Sequence, residues 1–391
     1  MANKAAVECA NAFLQLLEGN TQPFGGKIFV GLGDFRQVAP VIKSGGPMAC
    51  FDASIRSSTL WHSFSILRVH QPVRNVGDPI YSLWVDEIGE GMIGGNSNDI
   101  DMSMIEQLQS FDDAIIFLFP PEVLLNPQEI CKRAFLSPLN RFVDEFNALI
   151  LDKIPYMEGM LGNERCLIIE VPDQDLRNLA NLILWNYLKE HTYYSHDSIK
   201  ELPNGDFQAG QQHSDFQSSH HRGNSIPYDF LTMLNEPGIP PHEMRLKESA
   251  VCSLMRNLSV EEGLVKNARV VIRGLYEKVI KVELLPNGTY LPGGKFFLLP
   301  RIIFEFQPKF CTWTVQRRQF PLRLGYATTF NSCQGLTLDR AVLDLRVPPF
   351  AHGQLYTSVS RVRHRSCIRT YFGDDYPAFT KNIVYKNLLL E

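Results

Sequence analysis

Residues 28–37 read Ile28-Phe29-Val30-Gly31-Leu32-Gly33-Asp34-Phe35-Arg36-Gln37. Upstream, Val7, Ala10, Phe13, Leu14 and Leu17 recur at helical spacing over residues 4–18, and Gly19 supplies a stop. Pro23 to Lys27 then turns the chain into the apolar run 28–32. A short apolar run after a helix predicts a buried parallel strand. Asp34 to Gln37 would lie beyond its carboxyl end, where open α/β sheets hold ligands. The same pattern recurs outward. Ser65 to Val69 predicts a second strand leading into Gln71-Pro72-Val73-Arg74-Asn75, and Arg133 to Ser137 a third, followed by a helix through Phe142, Val143, Phe146 and Leu149. From residue 322, strands are expected near 322–328, 341–346 and 367–372, with a helix near 352–362. This alternation predicts an α/β chain. Residues 226–300 break it with short alternating runs (Ala268 to Ile272, Lys278 to Leu285) and a Pro286-Asn287-Gly288 turn, which predict a small antiparallel β unit.

Composition narrows the class. The 391 residues are 45% hydrophobic and 20% charged, ordinary for a globular chain of two to three domains. The run Ala114 to Phe119 stops at Pro120-Pro121, far short of a membrane span, and the amino terminus lacks a basic-then-apolar signal design. Eight cysteines occur without a CxxC pair, which argues for reduced thiols in an intracellular setting and against a cysteine zinc site. Five histidines fall between 191 and 221 without ligand spacing, so a surface insertion is expected there rather than a metal centre. A helix near 176–188 and loops over 94–104 and 204–224 complete the pass. Net charge is −4 overall, but residues 301–391 carry 13 Lys/Arg against 6 Asp/Glu. Arg361, Arg363, Arg365 and Arg369 crowd into one short stretch, either as a solvated basic face or as a phosphate-binding cluster.

Four segments carry chemistry. Gly33-Asp34-Phe35-Arg36-Gln37 places groups at a strand end that can orient a water or touch a phosphate. Arg74 follows another strand. Thr328 to Asp339, with Asn331, Gln334, Gly335 and Thr337, is a polar strand-to-helix turn whose small residues permit close approach of a phosphate or base. His352 to Arg361 predicts an amphipathic helix delivering an arginine at its end.

Taken in order, these segments resemble the later motifs of superfamily 1 DNA helicases, and most closely the PIF-type helicases, including the helicase part of Helitron transposons. The family's third motif is matched by Leu32 to Gln37 with Pro40-Val41, and its linking helix by Ala53 to Trp61. Arg74 falls on the fourth-motif arginine. Leu231 to Asn257, through Pro240-Pro241-His242-Glu243-Met244, and on to Leu258, is similar to the start of the inserted β domain. Arg318 to Arg323 leads into the fifth motif, and Gln354 to Arg361 matches the sixth.

The resemblance implies an incomplete tandem RecA-like (P-loop NTPase) core. Its parts would be the remainder of a first domain over 1–90, a connecting segment over 91–132, a second domain from 133–150 and 301–391, a variable, partly disordered insertion over 151–225 and a small β domain over 226–300. It further implies ATP and Mg2+ as cofactors, 5′-to-3′ unwinding of single-stranded or forked DNA, roles in repair, recombination, telomere maintenance or transposon replication, and a nuclear setting. Asp34, Gln37, Arg74, Gly335 and Arg361 would face the nucleotide, with Gln37 sensing the γ-phosphate and Arg74 and Arg361 acting as arginine fingers. Gln334, Thr337 and Asn331 would contact DNA.

Departures from the family pattern are equally specific. No Gly-Lys-Ser/Thr loop exists: Lys27 precedes Ile28, Lys43-Ser44 follows Ile42, and Lys295 precedes Phe296. The acidic pairs Asp86-Glu87 and Asp144-Glu145 lie downstream of the third motif on helical stretches, not at a strand end before it. Ser332-Cys333 stands where the family has Lys-Ser. The expectation is therefore a motor truncated before its third motif, unable to hydrolyse ATP alone. The alternative is a non-catalytic remnant that binds single-stranded nucleic acid.

Overall fold

The computed structural model describes residues 2–42, 45–69, 73–93, 99–124, 126–154, 190–200, 228–285, 294–308, 311, 313–373 and 378–390. They fall into two compact units, Met1–Asp152 with Tyr326–Glu391, and Lys153–Gly325.

The first unit opens with helix α1 (Lys4–Glu18), where the Asn3 side chain accepts from Ala5 N and Gly19 closes the helix at φ +63°. Its centre is a five-stranded sheet. The strands β1 (Gln107–Leu108), β2 (Arg133–Ser137), β3 (Ala327–Thr329), β4 (Arg340–Asp344) and β5 (Ile368–Tyr371) lie in the order β3-β2-β4-β5-β1, and every pair is parallel. Alternate side chains face opposite sides of the sheet. Ala134, Leu136, Ala341 and Leu343 share a core with Tyr81, Trp84 and Ile88 of helix α2 (Pro79–Glu90). Phe135 stacks instead on Phe146 with ring centroids 4.1 Å apart and lies beside Phe111. Those two rings belong to helices α3 (Phe111–Leu118) and α4 (Asn140–Lys153). Helix α5 (Gln354–Val359) adds Leu355 and Val359 to the first face. Burial on both faces explains why these strands read as continuous apolar runs. Where the chain re-enters this unit, Asn147 Oδ1 accepts from both Tyr326 N (3.0 Å) and Ala327 N (2.9 Å).

The second unit is antiparallel. One sheet runs Phe296–Pro300, Val279–Leu285, Arg269–Leu275, Val251–Leu254, Leu322–Leu324; a second runs Ile302–Phe306, Thr314–Gln319, His196–Lys200; and His191–Tyr194 pairs with Glu243–Leu246. Arg317 is fully buried and paired with Asp197. Its remaining N–H groups donate to the carbonyls of Leu231, Leu234 and Pro240. A buried guanidinium is tolerable only when satisfied in this way.

Several expectations change. Residues 28–32 and 65–69 form no strand, and most of their apolar side chains stand in solvent: Ile28 and Leu32 are 95% exposed and Val69 91%, while Phe29 stacks on Phe24. Among the described residues no strand pairs with either run, and an extended run without a neighbour has no ladder to join. The expected strand at 322–328 is two strands, Leu322–Leu324 and β3, in different sheets. Residues 302–324, expected in the second RecA-like domain, pair within the second unit. Part of the expected 94–104 loop is a strand, since Asp99–Asp101 pairs with Phe379–Lys381. Within 151–225, residues 191–200 supply two strands, and the helix expected near 176–188 lies outside the described residues, as does the loop over 204–224. Helix α5 is not amphipathic. All six of its residues are buried, because it is wedged between α2 and the residue 34–38 loop.

Candidate functional site

The site lies within the first unit, where the 34–38 loop, the segment 74–78, the turn 329–339 and the stretch 352–365 converge. Asp34 organises the loop. Its Oδ1 accepts from Arg36 N (3.0 Å) and Arg36 Nε (3.2 Å), and its Oδ2 from Tyr356 Oη (2.8 Å) and Gln37 Nε2 (3.3 Å). Burial pushes the Asp34 carboxyl up, but the Arg36 guanidinium and the Tyr356 hydroxyl outweigh it and hold the group below the usual carboxylate range. Arg36 reaches on to Asp86 of α2 at 2.7 Å, so Asp86 serves an ion pair on a helix face.

The loop is seated on α5 by backbone contacts as well. Val38 N donates to Thr357 Oγ1 (3.2 Å). Tyr385 N donates to His352 Nδ1, so the ring carries its proton on Nε2 and donates it to Phe35 O (2.9 Å). Burial draws the His352 pKa down, keeping the ring neutral. Gly353 sits at φ +70°, and a Cβ there would lie 2.4 Å from Arg36 O.

Arg74 and Arg361 are brought together from opposite ends of the chain. Arg74 donates to Ser360 O and to Thr337 Oγ1 (3.2 Å). Arg361 is 2% exposed and donates to Leu336 O (3.3 Å) and Ser360 Oγ (2.6 Å); its Nε is buried without a partner. Burial lowers the Arg74 pKa, and the neighbouring Arg361 and Arg363 lower it further. Two guanidiniums held beside each other by carbonyl and hydroxyl oxygens form a place that an anion would stabilise.

The remaining candidates separate by exposure. Gln334, Gly335 and Thr337 are exposed, with Gly335 at φ +85°, while Asn331 accepts from Gln354 Nε2 at 3.1 Å. Ser332, where the family motif has its lysine, is exposed; Cys333, where the motif has serine, is buried, and burial pushes its thiol up to about 12. The arginine cluster is dispersed rather than forming one basic face: Arg365 pairs with Asp78, Arg369 with Glu106, and Arg361 points inward. Tyr356, His352, Asp78 and Asn75, whose Nδ2 donates to Val362 O, are site-building residues that sequence patterns did not single out. Asn75, His352 and Tyr356 lay inside quoted segments and Asp78 outside them, and nothing local marked any of the four.

The PIF1-like helicase family model matches residues 1–98, and the model of the DNA helicase Pif1 2B domain matches residues 229–275. The human ATP-dependent DNA helicase PIF1 is 35% identical over 136 residues, covering 32% of this chain and 19% of the human protein. The Campylobacter jejuni ATP-dependent DNA helicase Pif1 is 25% identical over 181 residues, 38% of this chain and 39% of that protein. Among solved structures, Bacteroides Pif1 bound to ssDNA aligns with a TM-score of 0.58 at 15% identity, over 100% of this chain and 70% of that one. Candida albicans Pif1 helicase aligns at 0.55 and 18% identity, over 99% and 73%. The fold is therefore the RecA-like α/β core with an inserted β domain that these Pif1 structures share, and the likeness in sequence to PIF1-like helicases lies in residues 1–98 and 229–275, in a chain whose match spans 19% of the human protein.

Proposed function

We propose that this chain is the phosphate-sensing and DNA-gripping part of an ATP-dependent DNA helicase that moves 5′ to 3′ on single-stranded or forked DNA. The observation that carries this is the meeting of Arg74 and Arg361 around Ser360. Gln37, Arg74 and Arg361 would hold the terminal phosphate, and ATP with Mg2+ supplies the cleavable phosphoanhydride when bound. Gln334, Thr337 and Asn331 would lie along the DNA strand. The sequence holds no Gly-Lys-Ser/Thr loop, and among the described residues no group of three His, Cys, Asp or Glu side chains is placed to hold a metal ion. A segment bearing those motifs would lay its strands against the bare runs 28–32 and 65–69. Nuclear DNA repair, recombination or transposon replication is the setting this function fits.

The chain alone should hydrolyse ATP at background rates with or without DNA; a turnover of about 1 s⁻¹ would overturn its dependence on a further segment. It should bind oligo(dT), with log affinity falling against log salt by about 0.7 per phosphate contacted. Equal affinities at two salt concentrations would contradict phosphate contact. Joined to a relative's Walker A and B segment, it should gain DNA-stimulated ATPase activity. There, Arg361→Lys should lower kcat by about 10³ with the melting temperature kept, because lysine lacks the planar fork. The missing phosphate loop favours a second reading, a non-catalytic single-strand binder. That would be the outcome if the joined protein binds DNA but hydrolyses nothing.

A further inference from the structure

We propose that Tyr356 is a positioning residue that sets the side-chain amide of Gln37 by way of Asp34. This rests on Gln37 being the group that faces the nucleotide phosphate.

The geometry constrains Tyr356 on three sides. The Arg36 guanidinium lies 4.9 Å from its ring centroid, a Cβ on Gly89 would come within 2.7 Å of the ring, and the hydroxyl donates to Asp34 Oδ2 at 2.8 Å. Burial and the facing Asp34 carboxylate push the phenol pKa well up, so the hydroxyl remains a donor across the working pH range. An ionised carboxylate only accepts hydrogen bonds. Asp34 is held ionised by Arg36, and Gln37 must therefore turn its NH2 group toward Oδ2 and its Oε1 away. One of the two faces of the Gln37 amide is thereby chosen before any ligand arrives. The choice depends on Oδ2 staying where it is. Arg36 holds only Oδ1; Oδ2 is held by the Tyr356 hydroxyl.

The loop backbone has separate supports. Val38 N on Thr357 Oγ1, Phe35 O on His352 and the close seat of Gly353 under Arg36 all survive loss of one phenolic oxygen. Tyr356→Phe also keeps the ring under Arg36. The substitution thus releases the Asp34 carboxylate from one side while leaving the loop docked, which separates positioning from general packing.

The test uses the full chain, deuterated and 15N-labelled, and reads the Gln37 side-chain NH2 correlation, assigned as the one lost in Gln37→Glu. In Tyr356→Phe that correlation should shift, and its solvent exchange should speed up about fivefold, the scale of one net hydrogen bond, with the melting temperature near the parent. Asp34→Asn should move the same correlation, and adding Tyr356→Phe to it should change little more, as coupled sites do. An unchanged Gln37 correlation in folded Tyr356→Phe would overturn the proposal. If Tyr356→Phe does not fold, Asp34→Asn alone decides: an unmoved Gln37 signal overturns it. Failure of the parent chain to bind oligo(dT) would remove the helicase function and leave this readout standing.

Discussion

Residues 28–32 and 133–137 are two runs of similar character, each followed by a turn carrying polar groups, with opposite fates in the folded chain. Arg133–Ser137 lies between β3 and β4 with four of its five residues buried. Ile28 to Leu32 joins no strand among the described residues; Phe29 stacks on Phe24, and Ile28, Val30 and Leu32 are left in solvent. Apolar content made both runs candidates for strands. Only neighbours on both edges made one of them a strand, because a parallel ladder is a property of pairs rather than of single segments.

The sharpest way to break this contrast is at the two centres. Phe135→Ala should cost about 3–5 kcal/mol, since it removes a ring stacked on Phe146 inside a closed layer. Ile28→Ala should stay within about 0.5 kcal/mol. Paired thermal melts check this, and equal losses would mean that residues 28–32 are buried in solution. Glycines give an intermediate test. Gly353→Ala forces a side chain into φ +70° and against Arg36 O, so a loss of about 1–3 kcal/mol is expected. Gly33→Ala meets nothing within 4 Å and should be close to neutral.

The smallest effect is a pH dependence confined to the docked loop. His352 is neutral when folded and its pKa is drawn down by burial, so the unfolded chain takes up the proton first. Its contribution is complete above about pH 6.5, the ordinary histidine value, and is lost as pH falls from there toward the folded pKa. Asp78, held well below the usual carboxylate range by Arg365, adds a second loss on acidification below its ordinary value of 3.8. Hydrogen exchange of residues 34–38 at pH 7 and 5.5 should show faster opening at the lower pH. Replacing His352 with Gln should flatten that difference.

Legibility in the sequence followed the same division. Helix α1 with its Gly19 stop, strand β2 and the paired strands around 269–285 were readable because local period and turn chemistry agree with their surroundings. The strands assigned to 28–32 and 65–69 were not, since local pattern cannot report whether a partner is present. Arg74 and Arg361 were singled out, and the folded chain brings them together at Ser360. The surroundings of Arg361 were not legible, because arginines close in sequence diverge in the fold: Arg365 and Arg369 each meet an acid, while Arg361 turns to a carbonyl. Tyr356 was invisible as a polar group: its one informative bond spans the distance from α5 to Asp34.

The clasp at Asn147 has a kinetic consequence. Strands β2 and β3 are edge-to-edge neighbours, yet the whole second unit, Lys153–Gly325, is threaded between them. Closing a flexible span of that length costs only about 2–3 kcal/mol more than closing ten residues, since the penalty grows with the logarithm of length. Speed is more sensitive than stability, because pairings distant in sequence slow the search. If the second unit folds first, it shortens the span that remains to be closed. Asn147, capturing two successive amides as the chain returns, then registers β3 against β2 at the moment of contact. Asn147→Ala should accordingly slow refolding of the parallel sheet and leave the antiparallel unit's own rate unchanged.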